Sequence, residues 1–138
     1  MLTGRDVELV CGVCGAAFAR VHVRPLALGM VVDSILTGAM LMPRPGYSIN
    51  EEARQRLNRA KAAVEAGDTR ANDELNNARQ VSDYLRSHGG DIVYDLTCRC
   101  RRRYVRTSPD LHREIRATKG RWLRLSPGTA TWLPPRDR

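Results

Sequence analysis

Four cysteines are the residues whose type and spacing point most directly to chemistry. Cys11 and Cys14 form a C-x2-C pair, Cys98 and Cys100 form a C-x-C pair, and the chain has no other cysteine. Two short-spaced pairs, each on its own turn, can supply the four thiolates of a tetrahedral Zn²⁺ site. Because four protein ligands leave no position for a reacting water, the spacing predicts one structural zinc ion.

The residues around both pairs resemble the knuckles of zinc ribbons, in which two cysteine-bearing hairpins clamp one ion. The segment CGVCGAAF is similar to a first knuckle, where Gly12 and Gly15 let backbone N–H groups turn toward sulfur. The segment LTCRCRRRY is similar to a shortened second knuckle that lacks the glycine after the last cysteine. The resemblance covers residues 7–23 and 92–106 and implies that the metal joins the two ends of the chain.

Other uses of the four cysteines remain open at this point. They could form disulfides, a thioredoxin-like redox site or an iron–sulfur cluster, and His22 or His112 could replace one cysteine as a metal ligand. The chain shows no apolar segment of the kind found in secretory signals, so we expect it in the reducing cytoplasm. That compartment favours bound zinc over disulfides.

The elements that must position the cysteines suggest one α+β domain over residues 1–138. Strand-like alternation around each pair predicts two zinc-ribbon-like halves, residues 1–24 and 91–125. A helical insertion over 25–90 separates them, and residues 126–138 are expected to form a flexible tail.

Two helical parts are predicted inside the insertion. The apolar run Leu26–Met42 predicts a buried helix with Asp33 on a narrow polar strip, too short and too polar to span a membrane. Apolar residues at helical spacing then predict an antiparallel helical hairpin over 49–88, begun by a capping box of Ser48 and Glu51. We therefore expect no membrane association.

The charge is concentrated in the last third of the chain. The net charge is +8, and residues 91–138 carry twelve cations against five anions, or +7. On extended strands, alternate arginines after Cys98 would share one face, with aromatic rings between the cations to stack on bases. The residues predicted to bind nucleic acid are Arg99, Arg101, Arg102, Arg103, Tyr104, Arg106, Arg113, Arg116, Lys119, Arg121, Trp122 and Arg124.

Catalytic motifs are absent from the sequence. It has no G-x-S-x-G, P-loop, G-x-G-x-x-G or H-E-x-x-H pattern, and its one acid–base cluster, His112 with Asp110 and Glu114, lies at an expected helix start. We therefore predict a protein that is not an enzyme. A metal-dependent nuclease is the alternative among enzymes.

Two functions remain as hypotheses. The first is a zinc-stabilised basic module that binds nucleic acid, or docks on a nucleic-acid machine such as RNA polymerase or the ribosome. The second is a protein-interaction or assembly module, of host or phage origin, that uses helices 26–42 and 49–88. In that case the arginines are incidental, and some of them offset the −2 charge of a zinc ion held by four thiolates.

Overall fold

A computed structural model describes residues 4–24, 29–88, 92–128 and 130–133, and this part of the chain contains nine strands and three α-helices. In chain order the elements are β1 (Arg5–Cys11), β2 (Ala17–Val23), β3 (Met30–Ser34), β4 (Met40–Leu41), β5 (Arg44–Pro45), α1 (Gly46–Glu65), α2 (Asn72–Ser87), β6 (Ile92–Thr97), β7 (Arg103–Thr107), α3 (Ser108–Ala117), β8 (Trp122–Leu125) and β9 (Thr131–Trp132). The fold class is α+β, as predicted.

The strands form two sheets. Sheet A has the order β4-β3-β2-β1-β8, and sheet B has the order β5-β6-β7-β9. Neighbouring strands are antiparallel except β1 and β8, which run parallel. Each cysteine pair lies at a hairpin turn, one between β1 and β2 and the other between β6 and β7.

Sheet B lies between sheet A and the helical hairpin. Successive residues of a strand point to opposite faces, so one strand of sheet B can contact sheet A with one face and the helices with the other. Tyr94 of β6 packs in one apolar cluster with Leu9 of β1. Its neighbour Val93 packs in a second cluster with Ile49 of α1. The first cluster also contains Cys11 and Cys98, so the cysteine turns meet at the interface of the two sheets.

The predicted helical hairpin is confirmed as α1 and α2, but its start differs from the expected capping box. Helix α1 begins at Gly46, with Pro45 in an extended conformation as its N-cap and no side-chain cap. Ser48 and Glu51 are therefore already inside the helix. Pro45 pairs with Ile92 at the end of sheet B, so the sheet sets the point where the helix begins.

The predicted buried helix over Leu26–Met42 is wrong where the structure describes this segment. The segment forms β3, a turn and β4, and residues 26–28 lie outside the described residues. Gly29 and Gly38 have φ angles of 86° and 73°, which glycine adopts readily and a helix cannot contain. The predicted insertion over 25–90 is accordingly helical only from α1 onward.

The predicted flexible tail over 126–138 is wrong in its middle. Thr131–Trp132 forms β9 and pairs with β7; both residues are buried, and Trp132 belongs to the second cluster. Residues 134–138 lie outside the described part of the chain. The two predicted ribbon halves also differ in detail, because β1 and β2 belong to sheet A whereas β6 and β7 belong to sheet B.

A histidine on the outer face of sheet A lies between two carboxylates. His22 Nδ1 is 2.8 Å from Asp6 Oδ1, and His22 Nε2 is 3.0 Å from Asp33 Oδ2. The hydrogen bond with Asp6 raises the pKa of His22, partial burial lowers it by less, and Asp33 raises it further. The structure therefore favours the protonated imidazole at this position.

We expect His22→Gln to destabilise the protein more at about pH 6 than at about pH 8. A histidine whose pKa is raised by folding contributes stability that is fully present below its unfolded-state pKa of 6.5 and is lost as the pH rises through the folded-state value. Because the side chain is 36% exposed, the effect is about 1 kcal/mol or less. Urea unfolding of the wild type and the variant at both pH values measures this effect, with His112→Gln as the control. An equal loss of unfolding free energy at the two pH values would contradict the prediction.

Candidate metal centre

The two cysteine turns are closed by the same pair of backbone hydrogen bonds. In the first turn, Cys11 N–H donates to Ala16 O at 2.9 Å and Gly15 N–H donates to Cys11 O at 3.1 Å. In the second turn, Cys98 N–H donates to Arg102 O at 2.9 Å and Arg101 N–H donates to Cys98 O at 2.8 Å. The C-x-C turn is therefore a one-residue-shorter version of the C-x2-C turn.

An arginine takes the place of the glycine that the second knuckle lacks. Gly15 has a φ of 75° and Arg101 has a φ of 74°, so both residues adopt the left-handed conformation that closes the turn. For a residue with a side chain this conformation costs about 1–2 kcal/mol. The predicted strand face shared by Arg99, Arg101 and Arg103 is wrong, because residues 98–102 form a turn instead of extended backbone.

The four sulfur atoms lie close enough to hold one ion. All four Sγ atoms are within 4.8 Å of one another, with Cys11 to Cys100 at 3.8 Å and Cys14 to Cys98 at 3.4 Å. Four thiolates at about 2.3 Å from a zinc ion would be separated by about 3.8 Å. The site fits a single structural zinc, and both short contacts join one hairpin to the other.

Backbone and side-chain donors surround Cys11. The N–H groups of Val13 and Cys14 point at its sulfur at 3.4 and 3.5 Å. The Tyr104 hydroxyl accepts a hydrogen bond from Gly12 N–H at 3.1 Å and lies 3.0 Å from Cys11 Sγ. Because the oxygen already accepts one hydrogen bond, its proton is available to the sulfur, and donors of this kind orient and stabilise a metal-bound thiolate.

The surroundings shift the pKa values of two cysteines in opposite directions. Burial raises the pKa of Cys11, but the Cys14 N–H, the Tyr104 hydroxyl and the Val13 N–H outweigh it and lower the value to about 6. Burial raises the pKa of Cys98 to about 12; the Cys100 N–H lowers it by less, and contacts with the other thiols raise it further. Of these two cysteines, Cys11 is the better prepared to be a thiolate before any metal binds.

The geometry also bears on the other uses of the cysteines. All four are free thiols, and their contacts are far longer than the roughly 2.05 Å of a disulfide bond. Among the described residues the cluster consists of cysteines alone. His22 is hydrogen-bonded to its two aspartates and His112 lies on α3 outside the cluster, so neither takes the place of a cysteine ligand.

The first knuckle has no room for a side chain at Gly12. A Cβ atom there would lie 2.3 Å from Leu125 O and 2.8 Å from Pro127 Cδ, so the end of β8 passes directly over the turn. The Arg124 guanidinium adds a hydrogen bond to Gly12 O at 3.1 Å.

We expect Gly12→Ala to lower the free energy of unfolding by about 2 kcal/mol or more and to weaken metal retention, because the added methyl must displace backbone. Gly120→Ala is a matched control, since the nearest atom to its Cβ would be 4.0 Å away. Urea unfolding and competition with a chelator measure the two effects. Equal behaviour of the two variants would contradict the prediction.

Most of the predicted nucleic-acid-binding residues are exposed. Arg99 and Arg101 lie on the second cysteine turn, and the hydrogen bond from Arg124 to Gly12 places a third cation beside the first turn. The exposed members of the predicted set are Arg99, Arg101, Arg113, Arg116, Lys119, Arg121, Trp122 and Arg124.

The prediction is wrong for three members of the set, which have structural roles. Tyr104 is fully buried against the metal centre, where its ring stacks on Phe18. Arg106 is 3% exposed and bonds to Glu114 and to backbone carbonyls. The guanidinium of Arg103 is held by two carboxylates and lies over the Trp132 ring. Arg102 is half-buried.

His112, Asp110 and Glu114 lie on α3, which agrees with their interpretation as part of a helix start and not as an acid–base site. Asp110 instead accepts a hydrogen bond from the Tyr84 hydroxyl at 2.7 Å and lies 2.7 Å from His88 Nδ1, while Glu114 pairs with a buried arginine. The sequence could not indicate this His–Asp pair, because His88 directly follows α2 whereas Asp110 lies in the first turn of α3.

The fold and the site define an α+β protein with a four-cysteine metal-binding centre between two hairpins. No protein-family model, curated protein or solved structure matches the chain. Among the described helices, none combines the length and apolar character that crossing a membrane requires.

Proposed function

We propose that this protein is a non-enzymatic module in which one zinc ion, held in a zinc-ribbon-like arrangement, fixes a basic surface that binds nucleic acid. The ligands are Cys11, Cys14, Cys98 and Cys100. Four thiolates complete a tetrahedral shell, so zinc here would stabilise the fold and would not activate water.

One observation carries the nucleic-acid part of the proposal: exposed arginines lie at the metal-bearing end of the molecule. Arg99 and Arg101 belong to the second cysteine turn, and Arg124 bonds to the first. A zinc ion that joins the two turns would hold these cations in fixed relative positions. Guanidinium groups bind phosphate oxygens through paired hydrogen bonds, and a polyanion is the natural partner of such a surface.

A second candidate function is a protein contact. The helical hairpin, expected to be one of its contact surfaces, packs its apolar face on sheet B, so that face is not available to a partner. Exposed apolar side chains instead occur around the β3–β4 turn, at Ile35, Leu36, Met40 and Met42, which are 41–66% exposed. Docking on a transcription or ribosomal complex could combine this loop with the basic surface.

The salt dependence of binding tests the proposal. We expect the wild-type protein to bind labelled oligonucleotides, with an affinity that falls steeply between about 50 and 200 mM salt because phosphate contacts release counterions. Arg99→Ala with Arg124→Ala should weaken binding about tenfold and reduce the slope of log K against log salt by about one to two.

The matched control removes the same charge elsewhere. Arg59 and Arg79 are exposed on α1 and α2, so Arg59→Ala with Arg79→Ala also lowers the net charge by two. Equal losses in the two double variants would mean that binding follows net charge alone, and the proposal would fall. Oligonucleotide that stays intact during incubation with Mg²⁺ separates the module from a metal-dependent nuclease.

A further inference from the structure

An exposed tryptophan lies on the edge strand of sheet A. Trp122 is 62% exposed, although indole rings are among the most costly side chains to leave in water. Leu123 and Leu125 of the same strand pack on the core, so the alternation of β8 directs Trp122 and Arg124 to the outer face. The ring and the guanidinium are two residues apart, about 7 Å along the strand.

The backbone beneath the ring is held firmly. The Arg121 carbonyl accepts a hydrogen bond from Glu8 N–H at 2.7 Å, and the Thr118 hydroxyl donates to Trp122 O at 3.2 Å. Arg5, like Glu8 a residue of β1, donates to the carbonyls of Thr118 and Gly120. A platform ordered before binding loses little conformational entropy when a ligand arrives.

The charges around the ring suit an anionic ligand. Lys119, Arg121 and Arg124 are exposed on either side of Trp122 in the chain. The acid opposite the ring in the β1–β8 register is Glu8, and its carboxylate pairs with Arg20 at 3.2 Å. The surface therefore combines one flat aromatic face with cations and a largely compensated acid.

From this arrangement we infer that the protein binds single-stranded nucleic acid, with one base stacked on Trp122 and the adjoining phosphates on Arg121 and Arg124. The inference rests on the proposed function. Bases in a duplex are stacked on one another and cannot reach a ring on a sheet face, whereas an unpaired base can. A duplex would use the cations alone, so Trp122 creates the preference for single strands.

The experiment compares an oligothymidylate of about 20 nucleotides with a duplex of the same length, both labelled with fluorescein, by anisotropy. We expect the wild type to prefer the single strand and Trp122→Ala to weaken single-strand binding about ten- to hundredfold, with less than about a twofold effect on the duplex. Trp122→Phe should retain most of the affinity, because it keeps an aromatic face.

Tyr47→Ala is the matched control, since Tyr47 is an aromatic residue 78% exposed on α1, away from β8. It should leave both affinities unchanged. Equal wild-type affinity for both oligonucleotides, or equal losses on both in Trp122→Ala, would overturn the inference but leave the proposed function standing. A wild-type protein that binds neither oligonucleotide would refute both.

Discussion

Cys14→Ser is expected to lower the free energy of unfolding by more than about 4 kcal/mol and the melting temperature by about 15 °C. Cys14 is exposed, so an oxygen in place of its sulfur removes almost no packing, and a surface substitution without a ligand role would cost within about 0.5 kcal/mol. Loss of one of four ligands, by contrast, removes most of the free energy with which the ion binds. In such sites the ion binds only the folded protein, so this free energy stabilises the fold.

A chelator separates the ligand role from any other effect of the substitution. Wild-type protein treated with chelator should melt at about the temperature of untreated Cys14→Ser, and the variant should not respond further. Elemental mass spectrometry should find one zinc per wild-type chain, with four thiols titratable only after chelation. The metal centre would be refuted if the wild-type protein contains no metal as purified and melts at the same temperature with and without chelator.

The cysteine site was predictable from the sequence because its information is local. Each pair lies within one turn. Because the chain has no other cysteine, each pair can complete a four-thiolate site only with the other pair. The second turn, however, contains Arg101 in a conformation that usually marks glycine, and its spacing gave no indication of that. Tyr104 was also missed as a partner of Cys11, since the two residues are 93 positions apart.

Local patterns failed where long-range contacts decided the structure. The run Leu26–Met42 is apolar enough for a helix, yet β3 takes its place as a strand because it pairs with β2 along five positions. Arg103 looked like a phosphate ligand, but Glu52, 51 residues earlier, holds its guanidinium at 3.0 Å. No sequence pattern signals such a pairing, so charge counting alone overestimates the free basic surface.

The sequence also gives no indication of which of the two tryptophans is buried. Trp122 lies in the predicted zinc-ribbon-like half 91–125 and is exposed, whereas Trp132 lies in the predicted tail and is fully buried. The guanidinium groups of Arg56 and Arg103 lie 4.2 and 4.1 Å from the centre of the Trp132 ring. Trp132 lies on the edge strand β9 of sheet B and packs against the helices. Its removal therefore leaves a cavity and two arginines without the ring they contact.

Trp132→Ala is therefore expected to lower the free energy of unfolding by about 3–5 kcal/mol. Trp132→Phe should lose clearly less, because Nε1 has no hydrogen-bond partner among the described residues and only volume is removed. Trp122→Ala serves as the control and should stay within about 0.5 kcal/mol of the wild type. Urea unfolding followed by circular dichroism measures all three. Equal losses from the two alanine variants would contradict the burial of Trp132, whereas the expected order makes β9 an integral part of the apolar cluster between sheet B and the helices.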